Sequence, residues 1–219
     1  MAYAAALLLL ASGVAMQWRR TAKTASVVLA LLYAVFVLGW LRRVIGAPQI
    51  FGTWLGVAEQ LALVLGGIVS FASLHETVRA IRIARVGRIV FGACLMTFGA
   101  AHFFYVRETA AMTPNWLPPS PTFWALATGS AHVAAGLALL SGISALLAAR
   151  LAIAMFAGFG LLVWLPRLVA QPTTHMVWSG NGVNLALVGA IWVVADAIQK
   201  FGCRGRHESR ESEQKQRVG

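Results

Sequence analysis

From Thr109 to Ala149 the chain contains no Asp, Glu, Lys or Arg, and no other feature restricts its fold as strongly. A soluble domain carries roughly 25% charged residues, so a charge-free run of this length offers water no polar face. A membrane-spanning helix needs about 20 mainly apolar residues, and this run holds more than one. The remainder agrees: 59% of residues are hydrophobic, 11% are charged, and the mean hydropathy is +0.74. The expected fold class is all-α, a polytopic membrane helix bundle in contact with the lipid bilayer.

Apolar runs broken at basic clusters and prolines predict about seven transmembrane helices, near 2–17, 24–42, 57–75, 88–106, 122–142, 148–167 and 182–200. As one helix, Thr122 to Leu165 would reach about 66 Å, about twice the hydrocarbon thickness, so it must turn, and Ser141-Gly142 supplies the place. Residues 1–16 have the apolar core of a signal peptide, but no basic residue precedes it, and cleavage would leave Arg19, Arg20 and Lys23 outside. A retained helix is expected. The segment 202–219 is polar and highly charged without apolar periodicity, and is expected to be a disordered cytoplasmic tail.

A net charge of +11 would suggest nucleic acid in a soluble chain. Here the basic residues lie between apolar runs, as in cytoplasmic loops, so no nucleic-acid partner is expected. Seven spans put Arg42, Arg43, Arg107 and Arg167 on one side and the other fourteen of the 18 Lys and Arg residues on the opposite side. The arginine-rich side is read as cytoplasmic, with the amino terminus outside and the carboxyl terminus in the cytosol. Within a basic connection over 76–87, continuing to Arg88, the arginines at 79, 82, 85 and 88 suit anionic headgroups.

The chain also aligns with itself at a shift of 124 residues, 32–68 against 156–192. WLRRVIGAPQIFGTW meets WLPRLVAQPTTHMVW, pairing Trp40 with Trp164, Arg43 with Arg167, Pro48 with Pro172, Trp54 with Trp178 and Gly56 with Gly180. Four spans separate the copies, so both lie the same way up, a parallel internal repeat. A first repeat of three helices over 1–75 precedes a second of four over 88–201, and the first unit lacks a counterpart of span four. An upstream start or a lost helix would each account for that.

Polar groups within apolar spans are costly and often mark sites. His102 closes span four, with Arg107 and Glu108 just beyond it, and His132 stands mid-span among small residues. Each has a plain alternative: a hydrogen-bonded structural histidine at the interface for His102, a histidine bonded to a neighbouring helix for His132. Glu59, Gln60, Asn181 and Asn184 begin spans three and seven, where end-capping and interhelical bonding are the favoured roles. His102, His132 and His175 have no ligand three or four residues away, so no metal site is expected. Cys94 and Cys203 form no CxxC pair, and no nucleotide, haem or serine-nucleophile motif is present.

Between spans four and five, HFFYVRETAAMTPNWLPPSPTFWALATG carries His102, Phe103, Met112, Pro114, Trp116, Leu117, Pro118 and Gly129 in order. This pattern resembles the DoxX-like family of small bacterial membrane proteins over roughly 88–200. The resemblance implies a bacterial plasma membrane, DoxX-like four-helix units as the repeat, and kinship with the membrane subunit of a quinone-reducing thiosulfate dehydrogenase. The expected pocket opens outward, lined by His102, Arg107, Glu108, Trp116 and His132, and binds a small apolar or quinone-like molecule, histidine donating to a carbonyl oxygen or carrying a proton. A redox partner protein would hold any further cofactor. A non-catalytic solute-handling or assembly protein is the competing expectation; whether the chain is itself an enzyme, and its oligomeric state, stay open.

Overall fold

The structure, a computed structural model, describes residues 2–75 and 77–218, with side chains described over 4–75 and 77–202. It is all helical: α1 (Ala2–Ala15), α2 (Arg19–Gly46), α3 (Phe51–Ser73), α4 (Val78–Phe104), α5 (Val106–Met112), α6 (Pro121–Ser141), α7 (Ala145–Phe159), a π-helical turn (Gly160–Trp164), α8 (Leu165–Ala170) and α9 (His175–Val218). Six stretches among the described residues are long and apolar enough to cross a membrane: α2, α3, α4, α6, α7 through α8, and the first part of α9 to Gly202. By helix length and hydropathy this is a multi-pass membrane protein. The first of the seven expected spans is the exception, since the 14 residues of α1 reach only about 21 Å, short of the ~30 Å hydrocarbon core.

Local chemistry explains most helix ends. Thr77 accepts from the backbone of Ala80 at 3.1 Å and starts α4, so Arg79, Arg82, Arg85 and Arg88 occupy its first turns and not a separate connection. Ser120 caps α6 through the N–H of Phe123 at 3.2 Å, with Pro121 at the first helical position, where a missing N–H costs nothing. Gly142, at φ +83°, closes α6 in the left-handed conformation and makes the turn required before α7. The π-helical turn precedes Pro166, whose ring would crowd the carbonyl four residues back; Leu165 N–H reaches Gly160 O instead, and the widened turn relieves that crowding. The backbone of α9 is helical to Val218, and the tail expected over 202–219 lies largely beyond the residues whose side chains are described.

The interior is centred on α3, α4 and α9, where Val69, Phe91, Leu95 and Ile191 are fully buried. Small residues bring backbones together, as lipid gives helices little hydrophobic reason to associate. A Cβ on Gly66 would stand 2.8 Å from Ala190 Cβ of α9, and one on Gly67 would stand 2.8 Å from the Ser26 carbonyl of α2. In contrast, α2 exposes Val27, Leu31, Val35 and Leu38, an apolar stripe suited to lipid contact.

Three helix entries share one clasp. The indole N–H of Trp54 donates to Pro48 O at 3.0 Å, that of Trp124 to Pro118 O at 2.9 Å, and that of Trp178 to Pro172 O at 2.7 Å, each across six residues. The ring stays at the helix end with its polar edge satisfied, as suits a residue at the membrane interface. Trp124→Phe keeps the ring and removes the donor. It should cost about 1 kcal/mol, read as an earlier midpoint when purified protein in mixed micelles is unfolded with SDS.

Candidate functional site

Thr128 organises the polar centre of the bundle. Two turns into α6, its hydroxyl donates to Trp124 O at 2.7 Å, and the same oxygen lies 3.1 Å from His102 Nδ1. Its carbonyl lies 2.9 Å from His132 Nδ1, one helical turn further on. His102 reaches this point from α4 because position 129 is glycine, where a Cβ would stand 2.7 Å from His102 Cβ. His102 Nδ1 is also 3.1 Å from Ala125 O, and the two imidazole centroids are 5.2 Å apart.

Phenylalanines surround the pair. His132 meets Phe98 at 6.0 Å, Phe156 at 5.4 Å and Phe159 at 5.9 Å between ring centroids, and Phe159 also stacks against His102 at 6.2 Å. The ring of His132 is 1% exposed. Its Nδ1 is engaged by its own helix, and its Nε2 is buried without any hydrogen-bond partner. The bond to a neighbouring helix expected of a purely structural histidine is therefore absent among the described residues.

His102 and His132 line one cavity of about 730 Å³, walled by α3, α4, α5, α6, α7, the π-helical turn and α9. Glu108, Glu59 and Asn184 also face it. So do Met112, Pro114 and Leu117 of the loop motif and the small residues Gly158 and Gly180. Asn184 donates through Nδ2 to Phe156 O at 3.0 Å, linking α9 to the turn before the π-helical segment. π-Helical turns frequently occur at functional sites.

Other expected residues lie elsewhere. Arg107, on the outer side of α5, does not line the cavity, and Trp116 is 70% exposed on the irregular loop. Trp124, held by Pro118, takes the place expected for Trp116. Phe103 is exposed beside Gly129. Asn181 donates to Trp164 O and Val177 O, each at 3.0 Å, and Gln60 is buried in α3 away from the cavity. Among the described residues no group of three His, Cys, Asp or Glu side chains is placed to hold a metal ion.

Thr128, Phe98, Phe156 and Phe159 were not singled out from the sequence. Phenylalanines in an apolar chain carry no pattern distinct from core. Thr128 had one usable signal, its position four residues before His132 and next to Gly129.

Residues 91–179 match a family described as a domain of unknown function (DUF8561). That segment runs from the middle of α4 to the start of α9 and contains both histidines, Thr128 and all three phenylalanines. No curated protein and no solved structure matches the chain.

Proposed function

We propose that this membrane protein binds a small, largely apolar molecule with a polar head in the cavity around His102 and His132, a quinone-like compound being the class that fits best. The observation that carries this reading is the unpartnered Nε2 of His132. Burying a polar atom without a partner is unfavourable, and such an atom in a mostly apolar cavity suits a ligand that completes it. A volume of about 730 Å³ is within the range of small-molecule sites. The DoxX-like motif supports the same reading: His102, Met112, Pro114 and Leu117 line the cavity, and Gly129 seats His102. On this reading the chain serves as the membrane subunit of a redox system, with a partner protein holding any further cofactor. The test is binding of a short-tailed quinone and its hydroquinone, supplied as an equal mixture to protein in nanodiscs. Wild type is expected to bind, and His102→Ala and His132→Ala to lose most of the signal; unchanged binding in both variants would refute it.

The parallel repeat also has structural support. Ala47 N–H donates to Arg43 O at 2.9 Å and Gln171 N–H to Arg167 O at 2.8 Å, while Ile50 to Ala47 and Thr174 to Gln171 are both 3.1 Å, each pair 124 residues apart. Gly56 packs against the ring of Trp40 as Gly180 packs against Trp164. Gly66 faces Ala190, its own counterpart at the same shift, as expected if a pseudo-twofold axis passes between α3 and α9. Transporters built from repeats place substrate at the repeat interface. Here the cavity lies where α3 of the first unit meets the second, and both histidines belong to the second.

The proposed orientation keeps the arginine-rich ends cytosolic. It does not depend on α1, because Arg19, Arg20 and Lys23 begin α2; α1 decides only the side of the amino terminus, which seven spans place outside. In a background without Cys94 and Cys203, Asn115→Cys should react with an impermeant thiol reagent on intact cells. Val78→Cys should react only after permeabilisation, and the reverse pattern would reject the orientation.

A further inference from the structure

We infer that the cavity selects molecules whose head group donates a hydrogen bond, so that the preferred occupant is a hydroxyl-bearing compound, such as a hydroquinone or phenol with an apolar tail, and not a carbonyl-only quinone. The inference rests on the ligand-binding reading above and adds the direction of the hydrogen bond.

It follows from which ring nitrogen is engaged. His132 Nδ1 lies 2.9 Å from Thr128 O, and His102 Nδ1 lies 3.1 Å from Ala125 O. A carbonyl oxygen can only accept, so each Nδ1 carries the hydrogen. Thr128 fits this assignment: its hydroxyl hydrogen goes to Trp124 O at 2.7 Å, which leaves the oxygen free to accept from His102. A neutral imidazole has one N–H, and with it on Nδ1 the Nε2 atom is a bare acceptor. The neutral form suits the surroundings of His132, buried among three phenylalanine rings, where an isolated charge would be costly.

At His132 the cavity wall accordingly offers an acceptor. The Nε2 of His132 has no partner, and the Glu59 and Glu108 carboxyl groups share the lining. One of the two N–H groups of Asn184 is turned to Phe156 O. A hydroxyl completes the orphaned nitrogen, whereas a carbonyl oxygen there would set two lone pairs against each other. Sites built around a specific hydrogen bond discriminate strongly against analogues that cannot form it.

The test compares three probes of one shape on the full chain in nanodiscs: a short-tailed hydroquinone under reducing conditions, its quinone, and its dimethyl ether. Wild type should bind the hydroquinone at least about tenfold more tightly than the other two, and His132→Leu should erase that preference. A quinone bound as tightly as, or more tightly than, the hydroquinone would overturn the inference while leaving the ligand-binding reading intact; no binding of any probe would overturn both. Should His132→Leu fail to fold, imidazole ¹⁵N NMR of wild type decides. Hydrogen on Nδ1 and a bare Nε2 at His132 are expected, and the opposite tautomer would overturn the inference.

Discussion

Gly136→Val should prevent the folded protein from accumulating in the membrane. A Cβ at position 136 would stand 2.7 Å from Gly92 O, 2.6 Å from Met96 Cγ and 3.0 Å from Met96 N, so most of what it meets is backbone that cannot swing aside. The approach is reciprocal, because a Cβ on Gly92 would lie 2.8 Å from Gly136 O. Seven residues along each helix the contact recurs, with Gly99 against Gly129 O at 2.7 Å. Thus α4 and α6 touch backbone to backbone at two levels, and a branched side chain at either level separates them.

Overpacking at such a site costs about 3 kcal/mol, a large share of a typical stability of 5–15 kcal/mol. The separation would also withdraw Gly129 from His102 and dismantle the cavity. Gly189→Ala is the matched control: nothing lies within 4 Å of the added atom, and alanine is the better helix former by up to about 1 kcal/mol. The expected readout is loss of the monodisperse peak after detergent extraction for Gly136→Val and an unchanged or larger peak for Gly189→Ala. Equal yields for the two would contradict the close approach of α4 and α6.

His132→Leu should separate stability from binding. In a structural role, replacing a buried histidine would be destabilising, because its bonds hold the bundle together. Here Nδ1 bonds only within α6, to a carbonyl that keeps its helical partner, and Nε2 bonds to nothing. Leucine is similar in size and carries no buried acceptor. Removing an unsatisfied polar group recovers part of a penalty of about 1–3 kcal/mol, so the SDS midpoint should stay level or rise by the equivalent of about 1 kcal/mol. Hydroquinone binding should fall at least about tenfold. A residue that weakens the fold while it serves a ligand is expected of a binding site. A marked fall in stability together with unaffected binding would return His132 to the core.

Much of the framework was legible from the sequence because it depends on short-range chemistry. Charge-free runs mark helices surrounded by lipid whatever their neighbours, so six of the expected spans appear with ends shifted by a few residues to about ten. The turn at Gly142 follows from a glycine between two apolar runs too long to be one helix. The helical start of α4 was harder to read, since Thr77 caps a stretch whose arginines look like a loop by hydropathy alone. The short α5 was hidden in the loop between His102 and the prolines.

The cavity was only partly legible. His102, His132, Glu108, Glu59 and Asn184 stand out as polar residues in apolar surroundings, and they do share one space. Arg107 and Trp116 lie near them in sequence, but α5 and the loop direct them elsewhere.

Composition and spacing by themselves determined a helical membrane bundle, its arginine asymmetry and the polar residues placed at its centre, because each depends on how a short segment partitions between lipid and water. Only the tertiary structure decided that His102 and His132 meet, that phenylalanines of α4 and α7 close around them, and which nitrogen of His132 is left bare. Those outcomes depend on the rotation and separation of α4, α6 and α7, which are set by contacts between residues distant in the chain, such as Gly92 with Gly136 and Gly129 with His102.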